Sequence, residues 1–346
     1  MGSVTPLLAV VEELQKVEPT MEFFWLGTKT GPEKQLVEKY GIKFQSISGG
    51  KLRRYFSWQN FLDPFRIIAG FFQSLNSLRK NKPEVILTAG AFISVPVIWA
   101  GWFLRIPIVV HQQDIRPGLA NRLMAPLAKK ITVTFEESIK RFPQKKTKWI
   151  GNPVRQSVLQ GSRDKAIKEF NLEPELPTVL IVGGGTGALV LNQAVTEGLA
   201  ELVKFCQVIH VTGDRKSEIG NQKSERYRSY EFLTDRMKDA LAVADIVVSR
   251  AGLGFLTELA ALGKAVILIP IKDSHQELNA NYFAKQNAVL FLPQEELNAE
   301  NLAATIKNLI SNKSDRVNLG RNIQGLMKWG AAGEMVEVVR ELTKES

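Results

Sequence analysis

Short runs of β-branched and aliphatic residues alternate along this chain with stretches of helical period. Such alternation predicts parallel sheets covered by helices, because a crossover helix must return the chain before each new parallel strand. In the first half, residues 22–26, 43–47, 85–88, 108–111 and 131–134 read as strands. In the second half, residues 179–182, 208–211, 246–249, 266–269 and 289–292 do so. The fold class is therefore α/β, with a parallel sheet in each half. The first half lacks one expected part. A parallel α/β domain ordinarily opens with a strand that feeds a glycine turn and a helix, yet here the helical pattern begins by Pro6, with Thr5 as its expected N-cap. The first strand of the N-terminal domain is missing from the pattern, as in a trimmed chain or one whose start was assigned late.

A length of 346 residues exceeds one ordinary core. Two domains are expected, residues 1–152 and 153–330, with the crossover near residues 145–153. A last helical pattern over residues 332–344 is free to pack on either domain, including a return to the first. Residues 86–104 hold no charge, about the length of a spanning helix. Thr88, Gly90, Ser94 and Pro96 interrupt that run, so it reads as a buried strand, a loop and a helix.

Cys206 is the only cysteine and His111, His210 and His275 the only histidines, which excludes an intrachain disulfide and any local zinc motif. No signal segment is expected at the start, because Glu12 and Glu13 break its apolar run. The formal charge of +10 calls for an anionic partner: nucleic acid, a phosphorylated small molecule or an acidic lipid surface.

Four strand-end segments carry candidate chemistry. After residues 179–182 comes Gly183-Gly184-Gly185-Thr186-Gly187-Ala188, where bare backbone amides and a helix N-terminus suit a diphosphate. A plain tight turn fits the same residues, whose spacing is neither a dinucleotide fingerprint nor a P-loop. After residues 246–249 comes RAGLGFLTE, in which Glu258 would lie one and a half turns into a helix, as a ligand for sugar hydroxyls or as a solvated charge. The third, PIKDSHQELNA, offers Asp273, His275, Gln276 and Asn279. Three such loops in one domain converge on the crevice beyond the carboxyl ends of the strands. In the first half, HQQD places His111, a candidate buried histidine, before Asp114, the residue expected to face a cleft.

Taken in order, GSVTPLLAVVEEL, AGAFISVP, HQQD with PGLANR, GNPVR, GGGTGALVLNQ, RAGLGFLTELAALGK and DSHQELNA resemble the MurG family over nearly the whole chain. The resemblance implies the GT-B fold, two Rossmann-like domains, and an inverting transfer of N-acetylglucosamine from UDP-N-acetylglucosamine to lipid I, giving lipid II for peptidoglycan. It implies that Leu233 offers backbone to uracil and Glu258 holds the ribose hydroxyls. Leu253, Gly254 and Phe255 would face the diphosphate, His275 and Gln276 the sugar, with Arg155 and Asp114 at further donor-contact positions. Gly185 stands where the family often has serine, and Thr186 is a candidate substitute. Of the family's first glycine loop, GGTGGH, only Gly2 and Ser3 remain, Ser3 in place of a histidine linked to catalysis. Gln112 replaces the acid of the family's HEQN, and Asp114 its asparagine. Asp114 is accordingly a candidate general base, or else a hydrogen-bonding partner of substrate. No cofactor or metal is implied, and no D-x-D sequence occurs. Alternatives are another GT-B UDP-sugar transferase, a UDP-N-acetylglucosamine epimerase, or an inactive UDP-sugar-binding scaffold.

From residue 51 to 82, seven Lys or Arg stand against one acid, with seven aromatics interleaved. Phe61, Phe65, Ile68, Phe72 and Leu75 form one helical stripe, which by itself reads as core-facing. The remaining aromatics exceed what one core buries, so Trp58, Phe61, Phe65, Phe71 and Phe72 are expected to meet the inner face of an anionic cytoplasmic membrane. Nucleic acid is not expected, since no binding-module signature accompanies the segment. Peripheral attachment on the cytoplasmic side follows, where cell-wall synthesis proteins are possible partners.

Overall fold

The computed structural model describes residues 2–29, 31, 33–50, 59–183, 188–213 and 224–344, with residues 59–62 by backbone only. The chain divides into two compact units, Met1–Arg155 with Lys328–Ser346, and Gln156–Met327. In the first, the order is α1 (Thr5–Val17), β1 (Phe24–Gly27), α2 (Glu33–Lys39), β2 (Lys43–Ser46), α3 (Gln59–Asn81), β3 (Ile86–Thr88) and α4 (Ser94–Phe103). There follow β4 (Ile108–Gln112), α5 (Leu119–Met124), β5 (Lys130–Val133) and β6 (Thr147–Trp149). The second unit runs α6 (Gln156–Leu159), α7 (Arg163–Glu169), β7 (Thr178–Val182), α8 (Leu189–Leu202), β8 (Gln207–Val211), β9 (Tyr227–Tyr230) and α9 (Met237–Val243). It continues with β10 (Ile246–Ser249), α10 (Leu253–Ala261), β11 (Ala265–Leu268), α11 (His275–Lys285), β12 (Leu290–Phe291), α12 (Ala299–Ser311) and α13 (Lys313–Gly325). The last helix, α14 (Ala331–Lys344), belongs to the first unit, where Met335, Val339 and Leu342 pack with Val10 and Leu14 of α1 and Val109 of β4.

The second unit is one six-stranded parallel sheet in the order β12-β11-β10-β7-β8-β9. The chain leaves β7 toward β8 and β9, then returns to build β10, β11 and β12 on the other side. Consecutive crossovers therefore depart in opposite directions between β7 and β10, and the crevice beyond that point is where open α/β sheets take ligands. Its central strands β7, β8, β10 and β11 are buried throughout, which is why they read as continuous apolar runs.

In the first unit the sheet is in two pieces, β1-β2 and β3-β4-β5-β6, all pairs parallel. No ladder joins β1 to β3. The helices nevertheless span both pieces. On one face α1 sets Leu8 and Val11 against Phe23 and Trp25, and Val10 and Leu14 against Leu87 and Val109. On the other, α4 touches β1, β3 and β4. Among the described residues, β1 pairs with β2 alone and β3 with β4 alone. The start of α1 also departs from expectation: Val4 takes the cap position without a side-chain bond, and Thr5 Oγ1 is buried with no partner.

Two strands escape sequence reading. β6 (TKW) and β9 (YRSY) are sheet edges that keep polar side chains half-exposed, so they lack an apolar run. The uncharged run at 86–104 divides into β3, a turn and α4 as expected. No helix among the described residues is long and apolar enough to cross a membrane.

Three members of the α3 stripe, Phe65, Ile68 and Phe72, face outward against the core-facing expectation, whereas Leu75 meets it. Phe65, Ile68 and Phe72 are 71%, 54% and 62% exposed, whereas Ser74 and Ser77 are buried beside Leu75 and Leu78. Ser74 Oγ donates to Gly70 O at 2.7 Å and Ser77 Oγ to Gln45 Oε1 at 2.6 Å, which lets a serine face point inward. Gly70 permits the approach, since a Cβ there would sit 2.1 Å from Ser48 O. Phe71 is half-buried against the core and meets Phe72 and Phe103 edge-on, at 5.4 and 6.4 Å between centroids. Trp58 and the side chain of Phe61 lie outside the described residues.

The divided sheet generates a prediction. Amides of β1 and β3 are expected to exchange with deuterium at least roughly tenfold faster than those of β7 and β10, because they open without a second ladder. Equal protection by exchange mass spectrometry would contradict the interruption.

Candidate functional site

In the second unit the site is built where β10 and β11 end. Arg250, immediately after β10, donates from Nη1 to Ile269 O at 2.9 Å and Pro270 O at 3.2 Å, tying its own turn to the one after β11. Asn279 of α11, fully buried, ties them again from Nδ2 to Ala251 O at 3.3 Å. Burial lowers the Arg250 pKa, and its Nε is buried without a partner.

Helix α10 begins at Leu253 with Gly252 as N-cap and no side-chain cap. The first-turn amides, those of Leu253, Gly254 and Phe255 among them, thus lack intrahelical acceptors and carry the positive end of the helix dipole. Nothing lies within 4 Å of a Cβ placed on Gly252, so the approach to this helix end is open. One turn further, the Glu258 carboxylate is 2% exposed.

Helix α11 differs, because its cap is occupied. Ser274 Oγ accepts from Gln276 N at 3.2 Å and donates to Ile271 O at 2.6 Å, while Gln276 Oε1 accepts from Ile271 N at 3.2 Å. His275 is exposed and Gln276 half-buried on this helix, and Asp273 sits before it at φ +55°. These bonds hold the turn that leads into α11. Leu233, buried, follows β9 at the far edge of the sheet, so the structure does not join it to α10 through any ladder neighbour. Gly185 and Thr186 lie outside the described residues.

Sequence reasoning missed a clamp that ties α8 to β8 and β9. Asn192 in α8 donates from Nδ2 to Thr212 O at 3.1 Å, and its Oδ1 faces His210 Nε2 at 3.0 Å. His210 Nδ1 lies 2.9 Å from Tyr227 Oη, so the histidine links α8, β8 and β9. Burial holds the His210 pKa at about 4 and pushes Tyr227 up to about 12, which makes both neutral members of the chain. Only the burial of a histidine inside an apolar strand could have signalled it, and that does not identify the partners.

The first unit repeats the device. His111 in β4 is fully buried, with Nδ1 3.0 Å from Thr132 Oγ1 and Nε2 2.9 Å from Asn152 Oδ1. Desolvation outweighs the Asn152 bond and brings its pKa to about 4. Asn152 belongs to GNPVR, whose Gly151 takes φ +85° with Lys328 O only 2.1 Å from where a Cβ would stand. Arg155 ends this unit and is half-buried. Gln112, at the position of the family acid, is buried and donates from Nε2 to Asp114 O at 2.6 Å and Arg116 O at 3.2 Å, while Asn121 Nδ2 donates to its Oε1 at 2.6 Å. The amide is thus consumed in shaping the turn, and Asp114 is half-exposed upon it. Gly2 is exposed and Ser3 half-buried in the turn before α1. Among the described residues no group of three or more His, Cys, Asp or Glu is placed to hold a metal ion.

Two parallel-sheet units, one with an open helix N-terminus at its reversal point, define a nucleotide-sugar enzyme of the GT-B class. The glycosyltransferase family 28 N-terminal domain matches residues 1–133 and the family 28 C-terminal domain residues 178–327. A Clostridium perfringens protein named UDP-N-acetylglucosamine--N-acetylmuramyl-(pentapeptide) pyrophosphoryl-undecaprenol N-acetylglucosamine transferase is 37% identical, covering 100% of this chain and 95% of its own. The chain belongs to that family, the MurG family. Solved structures agree on the fold: Acinetobacter baumannii MurG has a TM-score of 0.68 at 23% identity, covering 98% of this chain and 96% of its own. A Neisseria meningitidis UDP-GlcNAc 2-epimerase bound to UDP-GlcNAc has 0.72 at 16%, with 98% and 96% covered.

The two buried histidines set a pH dependence. Their folded pKa lies below the ordinary 6.5, so the unfolded chain binds protons first. Stability is whole above pH 6.5 and is lost as pH falls from there toward 4, by about 2 kcal/mol per histidine at pH 5. Chemical denaturation at pH 7.5 and 5 should show this loss, and His210→Gln should halve it; an unchanged difference would reject the neutral assignment.

Proposed function

We propose that this chain transfers N-acetylglucosamine from UDP-N-acetylglucosamine to lipid I with inversion, releasing UDP and forming lipid II. The observation that carries the reading is the uncapped first turn of α10 at the sheet's reversal point, open in front and backed by buried Glu258. A diphosphate at that turn accepts from the amides of Leu253, Gly254 and Phe255. Glu258 takes the ribose hydroxyls, the Leu233 backbone the uracil, and His275 and Gln276 the sugar. Gly185, Thr186, Gly2 and Arg155 complete the donor contacts.

As the acceptor hydroxyl attacks the anomeric carbon, the bond to the diphosphate oxygen breaks and negative charge grows on departing UDP. The helix end stabilises that charge. The hydroxyl proton passes to Asp114, whose turn is shaped by the buried Gln112 amide. Ser3 lacks the basicity of the family histidine, so it serves at most as a hydrogen-bond partner.

The enzyme works at the inner face of the cytoplasmic membrane. Exposed Phe65, Ile68 and Phe72 on α3, with Trp99, Trp102 and Phe103 on α4, form an apolar face, bordered in sequence by Arg66, Arg79, Lys80 and Lys82. A helix that turns serine inward and phenylalanine outward suits a lipid surface better than water.

Radiolabelled UDP-N-acetylglucosamine transfer to lipid I tests the activity. Asp114→Asn should lower kcat on the order of a hundredfold, and Glu258→Ala should raise the donor KM with a smaller change in kcat. Uridine nucleotide binding without transfer would favour a scaffold, and release of an epimerised UDP-sugar an epimerase. Phe65→Ser with Phe72→Ser should abolish flotation on liposomes; undiminished flotation would reject membrane contact through this face.

A further inference from the structure

We infer that the outer edge of β12 takes one further strand, an extended segment of a partner protein bearing a basic residue, in a groove lined by asparagines. The inference stands apart from the transfer reaction. β12 closes one side of the second unit's sheet and pairs only with β11, Ile267 opposite Leu290 and Leu268 opposite Phe291. Leu292 N donates to Leu268 O at 3.0 Å. Consecutive peptide N–H groups of a strand point to opposite sides, so the N–H of Phe291 is directed away from β11, where the described residues provide no ladder.

Two residues cannot hold a partner strand alone, and the neighbouring surface supplies the rest. A cavity of about 480 Å³ lies beside Leu290, between the ends of α11 and α12 and the first turns of α13. Asparagines make up most of its lining: Asn287 after α11, Asn308 and Asn312 at the end of α12, and Asn318 and Asn322 along α13. A primary amide carries the same donor and acceptor pair as a peptide group, so a row of them matches an extended backbone. Some of that capacity is used internally. Asn322 Nδ2 donates to Asn287 O at 2.8 Å, and Asn312 Oδ1 accepts from Ser314 Oγ at 2.7 Å and Asp315 N at 3.3 Å. The side chains of Asn308 and Asn318 are exposed and make no hydrogen bond among the described residues. Buried Leu309 and Leu319, with Leu290 at 37% exposure, give the cavity an apolar part for alternate side chains of an added strand.

Charge narrows the occupant. In a chain of net charge +10, the one ionisable side chain of this lining is Asp315, which forms no ion pair among the described residues. Its neighbour Arg316 does not line the cavity and is turned to the last α12 carbonyls, Leu309 O and Ile310 O. A basic side chain on the added strand meets Asp315, whereas an acidic one meets no cation here. A glycan would engage the amides but leave the strand edge without a ladder. The cavity also lies past the carboxyl end of α11, whose amino end carries His275 and Gln276, so an occupied groove leaves the donor turns open.

A displayed library of random peptides, each of about nine residues, panned on the whole chain is the probe. Enriched peptides should carry Lys or Arg among β-branched residues and, made synthetically, should slow deuterium exchange over residues 289–292. Asn308→Ala with Asn318→Ala should weaken them about tenfold and Asp315→Asn about threefold, with melting unchanged. Methylating alternate peptide nitrogens should abolish binding in one of the two registers, because only one set of N–H groups faces the protein. The proposal is overturned if no peptide is enriched on the unaltered chain over the doubly substituted one, or if exchange over 289–292 is unaffected. Binding indifferent to methylation in both registers overturns it too, as does protection of 289–292 by N-acetylglucosamine oligomers in place of peptides, the mark of a glycan site.

Discussion

Every buried backbone N–H and C=O must find a partner, and the two units meet that demand in opposite ways. In the second unit, six strands pair in an unbroken series, and α10 begins without a side-chain cap at the reversal of strand order. On the proposed reading that open helix end is a binding capacity, since an anionic ligand there supplies the missing acceptors. In the first unit, among the described residues, the sheet divides between β1 and β3.

The strands buried on both faces were legible because parallel strands covered by helices must be apolar almost throughout, as in TVLIV and AVIL. β6 and β9 were not, since an edge strand needs apolar contact on part of its surface only, and TKW or YRSY passes for loop. The open start of α10 was equally readable, because glycines just beyond a strand leave backbone amides without a side-chain cap. What tied those turns together was not. Arg250 reaches Ile269 and Pro270, and Asn192 reaches His210, only because β10 neighbours β11 and α8 packs on β8. Strand order is a global property that no local spacing encodes.

Helix α3 shows a different limit. Its period of Phe65, Ile68 and Phe72 correctly marks one face, but a period gives no sign of which face is inside. The serines decide, because a hydroxyl that bonds its own helix, as Ser74 does to Gly70 O, can be buried without an unsatisfied group. Ser77 solves the same problem through Gln45. Once those short side chains take the inner face and Gly70 closes on Ser48, the aromatics are left outside by volume.

The +10 charge is unevenly spread along the chain. In a site built of helix ends, an uncharged peptide dipole provides much of the attraction for a diphosphate, and it does so without side chains that must be reorganised as charge moves onto the leaving group. Arginines and lysines are then not needed in number at the chemistry. They are instead concentrated around the aromatic helix of the first unit, where seven stand against one acid between residues 51 and 82. Long-range attraction of that kind is useful at a surface whose negative charge is diffuse, as a bilayer's is, because each cation contributes without needing a fixed partner. Dipoles suit a bound nucleotide and mobile cations suit a membrane, so the distribution of charge along the chain fits the two kinds of anion that the proposed function assigns to it.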